Sequence, residues 1–452
     1  MVKVMEARFH SVRLMSERCQ GCVNCTKRCP TEAIRIRGGK AQITSSRCID
    51  CGECIRHCSA HAKTAVTDDL SDLKKFKHNI ALPAPSLYGQ FNPEIPVRAI
   101  LSGLLKLGFD EVFEVAHGAE IISLAIRDYM KRTDIARPAI SSACPAIVRL
   151  IQVKFPEIIN HIVPFDAPVE VAGRLARAEA ERLYGLDPKD IGIWFITPCP
   201  AKMTAVYQPL GTETSSISGA IAISKIYHDL FKVVTADVQD ARRQASWLGV
   251  GWAVSGGETA AVGVDNVLVV DGIYQVINVL EQVALGKLKD VDYIEVLACT
   301  GGCVGGALTV ENRYVAEHRM KQRIEKKKML DPKLGRLPRT DYSEFELGVA
   351  GRRAIEPKPV LRLDADISKA MSKIEIMDAT LKCLPGLDCG SCGSPNCKAL
   401  AEDIAQGCAS LTDCVFILRN KVRDLAYEMV NLAAKLPPPL DKDQDDQEEQ
   451  AE

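Results

Sequence analysis

The sequence predicts a multidomain α/β protein, in which a cysteine-rich module lies at each end of a larger central domain. Its 452 residues exceed what a single hydrophobic core usually holds. Between about residues 80 and 352, strand-like apolar runs alternate with amphipathic segments, a pattern typical of largely parallel sheets. Sixteen of the eighteen cysteines form four sets of four: three are local runs near the ends, and one is spread over the central domain.

Changes in composition along the chain predict the domain boundaries. We expect a first domain over residues 1–75, a central α/β domain over 76–355 and a small helical domain over 360–430. A loop rich in Arg, Lys and Pro, residues 333–358, joins the last two. Residues 436–452 follow three prolines with Asp, Glu and Gln and lack apolar residues, so we predict a disordered acidic tail.

Hydrophobic periodicity predicts the main elements of the central domain. Strands are expected at Val112–Val115, Ile191–Thr197, Val267–Val270 and Ile294–Ala298. Helices are expected at Ile95–Lys106, Pro168–Tyr184, Ile273–Leu285 and Val310–Lys328. The glycines at 249, 251, 256 and 257 do not have dinucleotide-binding spacing, so we interpret them as turns.

Charge and hydropathy exclude several classes of partner. The net charge is −1 and the main basic run is Lys321–Lys328, so the electrostatic footprint of nucleic-acid binding is missing. No stretch reaches the roughly eighteen uncharged residues of a membrane span, and the N-terminus lacks the apolar core of a signal peptide. We therefore expect a cytoplasmic protein without membrane contact. In that reducing setting, clustered cysteines indicate metal rather than disulfides.

The first domain contains two cysteine runs with the spacing of iron-sulfur ligands, each with gaps of two, two and three residues. This doubled pattern resembles two-cluster ferredoxins, in which three thiolates of one run and the last of the other hold each cubane. The resemblance implies one 4Fe-4S cluster on Cys19, Cys22, Cys25 and Cys58, and a second on Cys48, Cys51, Cys54 and Cys29. Zinc is the alternative, because paired CxxC motifs also form tetrahedral sites.

A third local run lies in the C-terminal domain. It resembles the small 4Fe-4S domain of several electron-transfer and corrinoid-linked proteins, and the resemblance implies ligation by Cys389, Cys392, Cys397 and Cys414. Glycines between the ligands allow backbone amides to approach the cluster. The remaining two cysteines, Cys383 and Cys408, are expected to be buried apolar thiols.

The scattered set comes from three segments of the central domain that are far apart in sequence. They are Ser142-Ala143-Cys144-Pro145, Thr197-Pro198-Cys199-Pro200-Ala201-Lys202 and Leu297-Ala298-Cys299-Thr300-Gly301-Gly302-Cys303. Each cysteine follows a predicted strand, where α/β proteins place their chemistry. Gly301, Gly302 and Gly305 indicate a backbone pressed against a bulky group. These features predict a fourth iron-sulfur cluster in the interior.

The three segments resemble, in order, the signature motifs of FeFe hydrogenases, TSCCP, MPCxxKKxE and MACPGGCxxGGGQ. The resemblance covers roughly residues 10–320. It implies an H-cluster, in which Cys144, Cys199, Cys299 and Cys303 hold a 4Fe-4S cubane and Cys303 bridges to a diiron centre carrying CO, cyanide and a dithiolate. Lys202 matches the lysine that donates to a cyanide. Dihydrogen and protons would be the substrates, and hydrogenase maturation proteins would insert the diiron unit.

The departures from the family pattern concern proton transfer. Ala143 stands where active members carry a proton-relaying cysteine, and a methyl group cannot carry a proton. Ile126 and Tyr129 occupy the places of two relay glutamates. Thr197, Leu297 and Thr300 also depart from the motifs.

These departures resemble sensory members of the family, and we expect slow reversible hydrogen chemistry. Three accessory 4Fe-4S clusters would pass electrons to a redox or signalling partner. The alternatives are an iron-sulfur electron-transfer protein without the diiron subsite and a high-rate hydrogenase with another proton path.

Overall fold

The computed structural model describes residues 9–234, 245–330, 354–358, 360 and 363–435. Its strands are β1 (Val12–Leu14), β2 (Ile34–Arg37), β3 (Lys40–Ile43), β4 (Lys63–Ala65), β5 (His78–Pro83), β6 (Glu111–Val112), β7 (Ala139–Ile140), β8 (Ile191–Thr197), β9 (Gly219–Ala222), β10 (Val267–Asp271) and β11 (Tyr293–Leu297). The predicted tail and residues 333–353 of the predicted loop lie outside the described residues.

Helices separate most of these strands and continue to the C-terminus. They are α1 (Asn24–Lys27), α2 (Glu53–Arg56), α3 (Val97–Lys106), α4 (Val115–Tyr129), α5 (Pro145–Lys154), α6 (Pro168–Tyr184), α7 (Pro200–Tyr207), α8 (Ile223–Val233), α9 (Trp247–Gly251), α10 (Gly257–Val262), α11 (Ile273–Ala284), α12 (Arg313–Leu330), α13 (Ile367–Cys383), α14 (Cys397–Ala405) and α15 (Val415–Ala433). Short 3₁₀ helices include Pro85–Gln90 and Cys303–Gly305.

The chain folds into two compact units. The first comprises residues 1–20, 28–33 and 43–361, and the second comprises 21–27, 34–42 and 362–452. Segments of the cysteine-rich N-terminal region therefore belong to both units. The domain boundaries expected from composition stay a prediction.

A four-stranded parallel sheet forms the centre of the first unit. Its order is β6-β5-β8-β9, so β5 and β9 flank β8 on both edges, and all seven residues of β8 are buried. Alternate side chains enter two different cores: Ile193 and Phe195 lie in one, while Trp194 and Ile196 lie in the other. This arrangement explains the continuous apolar run of the strand, which is typical of parallel strands covered on both faces.

A second parallel sheet of the same unit has the order β10-β11-β7. It packs with α5 and α11 in a third core that contains Ile147, Ile151, Ile277 and Val296. A separate antiparallel pair joins β1 to β4. The predicted α/β architecture is therefore confirmed, with the parallel strands divided between two sheets.

Most predicted elements of the central domain match the structure closely. Strand Ile191–Thr197 and helix Pro168–Tyr184 have the predicted bounds, since Pro168 opens the helix and Gly185, with a φ of 62°, ends it. The strand predicted at Val112–Val115 is wrong in its second half. Only Glu111 and Val112 pair with β5, and Val115 is already the first residue of α4.

The second unit contains helices α13, α14 and α15 and the hairpin of β2 and β3. Asp403 of α14 accepts hydrogen bonds at 2.7 Å from Arg35 Nε and from Arg37 Nη2, and the Ile36 amide donates to the Gly393 carbonyl at 2.8 Å. The helical C-terminal region is therefore confirmed. Among the described residues, no helix combines the length and apolar character that crossing a membrane requires.

Candidate metal centre

The three motif segments lie at the carboxyl ends of strands in the two parallel sheets. Cys144 follows β7, Cys199 follows β8 and Cys299 follows β11. The first two cysteines occupy the N-cap positions of α5 and α7, whose first residues are Pro145 and Pro200. Proline is favoured at that position because it has no N–H to satisfy and its φ already suits a helix. Each strand-turn-helix junction thus presents one thiol at the same end of its sheet.

The structure brings these thiols within electrostatic range of one another. Burial, followed by the charges of Cys299 and Cys303, raises the pKa of Cys144 to about 11. Burial also raises the pKa of Cys199 to about 12, where Lys202 opposes the effect of the other three thiols. Thiols that resist ionisation because they are crowded together are stabilised as thiolates when a metal binds. The structure thus brings Cys144, Cys199, Cys299 and Cys303 together, and their ligation of one cluster stays a prediction.

Two cations face this group of thiols. Lys202 lies on the first turn of α7, and its Nζ donates to Cys303 Sγ at 3.4 Å. Burial disfavours its charge, but the thiolates of Cys303, Cys199 and Cys144 outweigh burial and raise the pKa of Lys202. Arg56, on α2, donates from Nη2 to Cys299 Sγ at 3.0 Å and to the Gly305 carbonyl at 2.6 Å. The site is thus built to hold a negatively charged group.

The glycines of the third motif lie against neighbouring backbone. A Cβ on Gly302, which has a φ of 94°, would come within 2.8 Å of the Ala253 carbonyl oxygen and the Ser255 amide. A Cβ on Gly306 would lie 2.2 Å from the Pro198 carbonyl oxygen, which belongs to the second motif. The dense glycines therefore let the motif loops approach each other closely. That Gly301, Gly302 and Gly305 also contact a cofactor stays a prediction.

A cavity adjoins the thiols on the side of Cys303 and Lys202. Its free space is about 600 Å³, including the open mouth. Ala143 and Leu297 line it, at two of the positions where the motifs depart from the family pattern. Its other walls are mostly apolar and are provided by Ala84, Pro85, Ser86, Val115, Ala119, Ala167, Pro168, Val169, Phe195, Trp252 and Ala253.

Two buried carboxyl groups, Glu258 and Glu295, complete the lining of this cavity. Glu295 accepts from the amides of Gly256 and Thr259 at 2.8 Å each, and so fixes the start of α10. Glu258 instead faces two hydroxyl groups: it accepts from Ser141 at 2.8 Å and from Tyr293 at 2.5 Å. Burial, followed by the charge of Glu295, raises the pKa of Glu258 to about 8. Glu258 is therefore a buried carboxyl group with a raised pKa in the wall that also contains Ala143.

Sequence reasoning missed these two acids. Glu258 follows Gly256-Gly257, which we interpreted as a turn, and the structure places only Gly256 in the turn, with a φ of 85° before α10. Gly249 and Gly251 lie within helix α9, so the turn predicted there is wrong. An acid after a glycine pair carries no signal of burial. A signal for Glu295 does exist, because it interrupts an otherwise apolar buried strand.

The two positions expected to correspond to relay glutamates are occupied by Ile126 and Tyr129. Ile126 is fully buried within one of the large hydrophobic cores. The Tyr129 ring packs edge-on against Phe165, with ring centroids 5.7 Å apart. Neither side chain has a carboxyl group, and poor proton transfer along that route stays a prediction.

The second ferredoxin-type ligand set also converges. Cys29 interacts electrostatically with both Cys48 and Cys51, and Cys54 does so with the same two residues. The Ala33 amide donates to Cys29 Sγ at 3.2 Å, and the Ala62 amide donates to Cys58 Sγ at the same distance, so the two runs repeat one local geometry. Cys19 and Cys58 belong to the first compact unit and Cys22 and Cys25 to the second. Their common ligation of one cluster stays a prediction.

The four cysteines of the C-terminal run line one small cavity in the second unit. Cys389, Cys392, Cys397 and Cys414 share it with Gly390 and Leu400. The other two cysteines of the region do not line this cavity. Cys383 and Cys408 are exposed, so the expectation that they are buried is wrong. Cys383 is the last residue of α13, and Cys408 follows Gly407, which has a φ of 72°, at the end of α14.

The donor atoms fit the inorganic groups that the sequence predicts. Four soft thiol ligands with partly buried cations beside them suit an anionic iron-sulfur cubane. The free space beside Cys303, walled by apolar groups and by the Lys202 ammonium, suits a further ligand-bearing unit. Grouped cysteine thiols in and beside a central α/β domain define the class of the chain as an iron-sulfur protein, while the assignment of each cysteine to a cluster stays a prediction.

Comparison with known families agrees with this class. Residues 77–264 and 253–307 match the family described as iron-only hydrogenase large subunit, C-terminal domain, which together covers just over half of the chain. The chain therefore belongs to the iron-only, or FeFe, hydrogenase family. Residues 11–59 match the 4Fe-4S dicluster domain, and residues 384–416 match a putative Fe-S cluster family.

The similar curated proteins include hydrogenases and an Fe-S cluster assembly factor. The chain is 28% identical over 367 residues to the periplasmic Fe hydrogenase large subunit of Nitratidesulfovibrio vulgaris, covering 66% of this chain and 86% of the relative. It is 24% identical to iron hydrogenase 1 of Clostridium pasteurianum, over 51% of this chain and half of that relative. It is also 24% identical to a probable cytosolic Fe-S cluster assembly factor of Caenorhabditis elegans, over 55% of this chain and 64% of that relative.

Among solved structures, an FeFe-hydrogenase of Chlamydomonas reinhardtii aligns with a TM-score of 0.49. The sequence identity is 13%, and the alignment covers 64% of this chain and 98% of that one.

Proposed function

We propose that this protein is a sensory-type FeFe hydrogenase, which interconverts dihydrogen with protons and electrons slowly and reports the result as a redox state. The proposal rests on the composition of the cavity beside Cys303. Cys303 and Lys202 lie there, as hydrogen chemistry requires, while Ala143 and Leu297 replace residues of the active pattern. The site supports binding of the reactive group better than it supports rapid proton exchange.

The chain would hold an H-cluster through Cys144, Cys199, Cys299 and Cys303, with Cys303 beside the cavity. That cofactor supplies the metal chemistry that polarises and splits dihydrogen. Lys202 presents an ammonium to anionic ligands, and the apolar walls exclude bulk water from the pocket. Glu258 holds or releases a proton at its carboxyl oxygen, between the hydroxyls of Ser141 and Tyr293. Ala143 contributes only a methyl group.

Electrons would leave through the ferredoxin-type clusters and the C-terminal cluster to a redox or signalling partner protein. Helix α2, which contains the predicted ligand Cys54, reaches the interior site through Arg56. This contact supports a short electron path between the second ferredoxin-type cluster and the interior cubane. We further infer a cytoplasmic location and a dependence on hydrogenase maturation proteins, since the diiron unit is made elsewhere.

Infrared spectroscopy tests the proposal directly. Purified protein with reconstituted cubanes is treated with a synthetic diiron complex, and bands of bound CO and cyanide are expected in the wild type. In the Lys202→Met variant the CO and cyanide bands should be weaker, because the contact between the ammonium group and an anionic ligand is lost. Lys189→Met, at an exposed lysine paired with Asp187, serves as the control. A wild type that acquires no such bands contradicts the proposal.

The alternative function is electron transfer without the diiron subsite. The similarity to a cytosolic Fe-S cluster assembly factor favours keeping this candidate. Iron content separates the two functions: four cubanes contain about sixteen irons per chain, against about eighteen with a diiron unit. The buried Lys202 aimed at Cys303 argues for the hydrogenase, because a site without diiron ligands has little use for that charge.

A further inference from the structure

Helix α15 projects from the second compact unit with almost no side-chain cover. After its first turn, every residue from Leu418 to the end of the helix at Ala433 is exposed. The helix has 19 residues, which corresponds to a length of about 28 Å. An isolated helix of this size is marginally stable in water, and most helices are stabilised by packing an apolar face. The structure therefore contains a helix whose apolar face has no cover from the described residues.

Six exposed apolar residues of α15 form one continuous stripe with alternating steps of three and four residues, while Phe416, Tyr427 and Val430 lie off it. The stripe consists of Val415, Leu418, Val422, Leu425, Met429 and Leu432, which are 43–67% exposed. This spacing is the heptad repeat of a coiled coil, with valine or methionine at every a position and leucine at every d position. Asn420, Arg423 and Asp424 interrupt the other faces. The apolar seam is thus specific to helix pairing.

We propose that α15 pairs with α15 of a second copy of this chain, and that the two helices run antiparallel. In this arrangement Val415 packs against Leu432 of the second copy and Leu418 packs against its Met429. Val422 meets its Leu425, so every residue of the seam has a partner. The contact is self-complementary about a two-fold axis between Val422 and Leu425, as a closed homodimer requires.

Charges beside the seam favour this partner and this direction. Lys421 and Glu428 occupy the g positions of successive heptads, and g positions face each other across an antiparallel pair. Each Lys421 therefore lies near Glu428 of the second copy, which gives two opposite-charge pairs by symmetry. In a parallel pair, the g position would face the e position, which Ala426 and Ala433 occupy, and both charges would lack a counterpart.

The mass of the holoprotein in solution tests the proposal. Light scattering after size exclusion should give twice the chain mass at micromolar concentration. Leu425→Glu places a charge in the middle of the seam and should give the mass of one chain. Tyr427→Glu, also at an exposed residue of α15 but outside the seam, should leave the dimer unchanged. Circular dichroism and cluster absorbance verify that each variant is folded.

Two results would overturn the dimer: a wild type with the mass of one chain, or a Leu425→Glu variant that still has twice that mass. If the wild type has the mass of one chain, the apolar stripe of α15 would be left to pair with a helix of an unrelated protein. Neither result bears on hydrogen chemistry, so this proposal stands or falls independently of the proposed function.

A charge exchange tests the direction of the helices. Lys421→Glu and Glu428→Lys should each weaken dimerisation roughly fivefold to tenfold, because two attractive pairs become repulsive. The double variant should recover the wild-type dissociation constant. Four equal dissociation constants would overturn the antiparallel arrangement, since the parallel one places neither charge beside another.

Discussion

The interior thiol group and the C-terminal thiol group are built in opposite ways. The interior cysteines come from three junctions of a buried α/β core, and burial raises the pKa of Cys144 and Cys199 to about 11 and 12. The C-terminal cysteines come largely from one loop, where the hydroxyl and then the backbone amide of Ser391 lower the pKa of Cys389. Partial burial raises the pKa of Cys397. A shielded site suits chemistry on a small substrate, whereas an accessible site suits electron exchange with a protein.

The largest expected effect comes from removing one ligand at either site. Cys299→Ala should abolish hydrogen oxidation, because the interior cubane loses a thiolate that Arg56 also contacts. The matched change at the C-terminal site, Cys392→Ala, should remove about four irons per chain. Hydrogen oxidation measured with an artificial dye as electron acceptor should be unchanged in this variant. Iron analysis and a dye-linked assay measure both outcomes. Equal loss of activity in the two variants would contradict the division of roles.

The second-largest expected effect is a higher turnover rate when the missing thiol is restored. Ala143→Cys returns a proton-carrying group to the cavity wall, and we expect dye-linked turnover to rise by about tenfold or more. Ala167→Cys adds a thiol elsewhere in the same cavity and should change the rate little. Unchanged turnover in Ala143→Cys would favour a fast enzyme with its own proton path.

Glu258 offers a smaller, pH-dependent effect. Its carboxyl group accepts a proton only when ionised, and its pKa is raised to about 8 by burial first and by Glu295 second. Hydrogen oxidation should therefore increase as the pH rises through about 8, and proton reduction should decrease. Glu258→Gln should remove this inflection and slow turnover about tenfold. The exposed Glu94→Gln variant is the control. A variant that keeps the inflection would exclude Glu258 as the titrating group.

The smallest predicted effect concerns potential rather than rate. Arg56 places a largely buried cation against Cys299, and a cation stabilises the reduced, more negative cluster. Arg56→Gln should lower the potential of the interior cubane by tens of millivolts, since about 59 mV corresponds to a tenfold change for one electron. The potential of the Arg56→Lys variant should lie between those of the wild type and Arg56→Gln. The midpoint is measured by redox titration with electron paramagnetic resonance, and an unchanged potential in Arg56→Gln would contradict this role.

The sequence predicts local features of this protein better than contacts between distant segments. Helix Pro168–Tyr184 is predictable because its ends have their own signals in Pro168 and Gly185. The apolar run Val112–Val115 is ambiguous, because four residues fit a strand end or a helix start equally well. The interior thiols are predictable because the three segments that contain them resemble the signature motifs of a known family.

Arg56 and Glu258 could not be predicted in the same way. Arg56 meets Cys299 across 243 positions in sequence. Glu258 meets Ser141 across 117 positions, and its burial follows from how α10 packs. A charged residue in a short helix is usually solvated, so neither residue carries a local sign of its contact.

The division of the parallel strands into two sheets has a consequence for biogenesis. Cys199 is supplied by the sheet of β8, whereas Cys144, Cys299 and Cys303 are supplied by the sheet of β7 and β11. Neither half of the fold can assemble the complete cage alone. We therefore expect a cluster on these four cysteines to form only after both sheets have folded and docked.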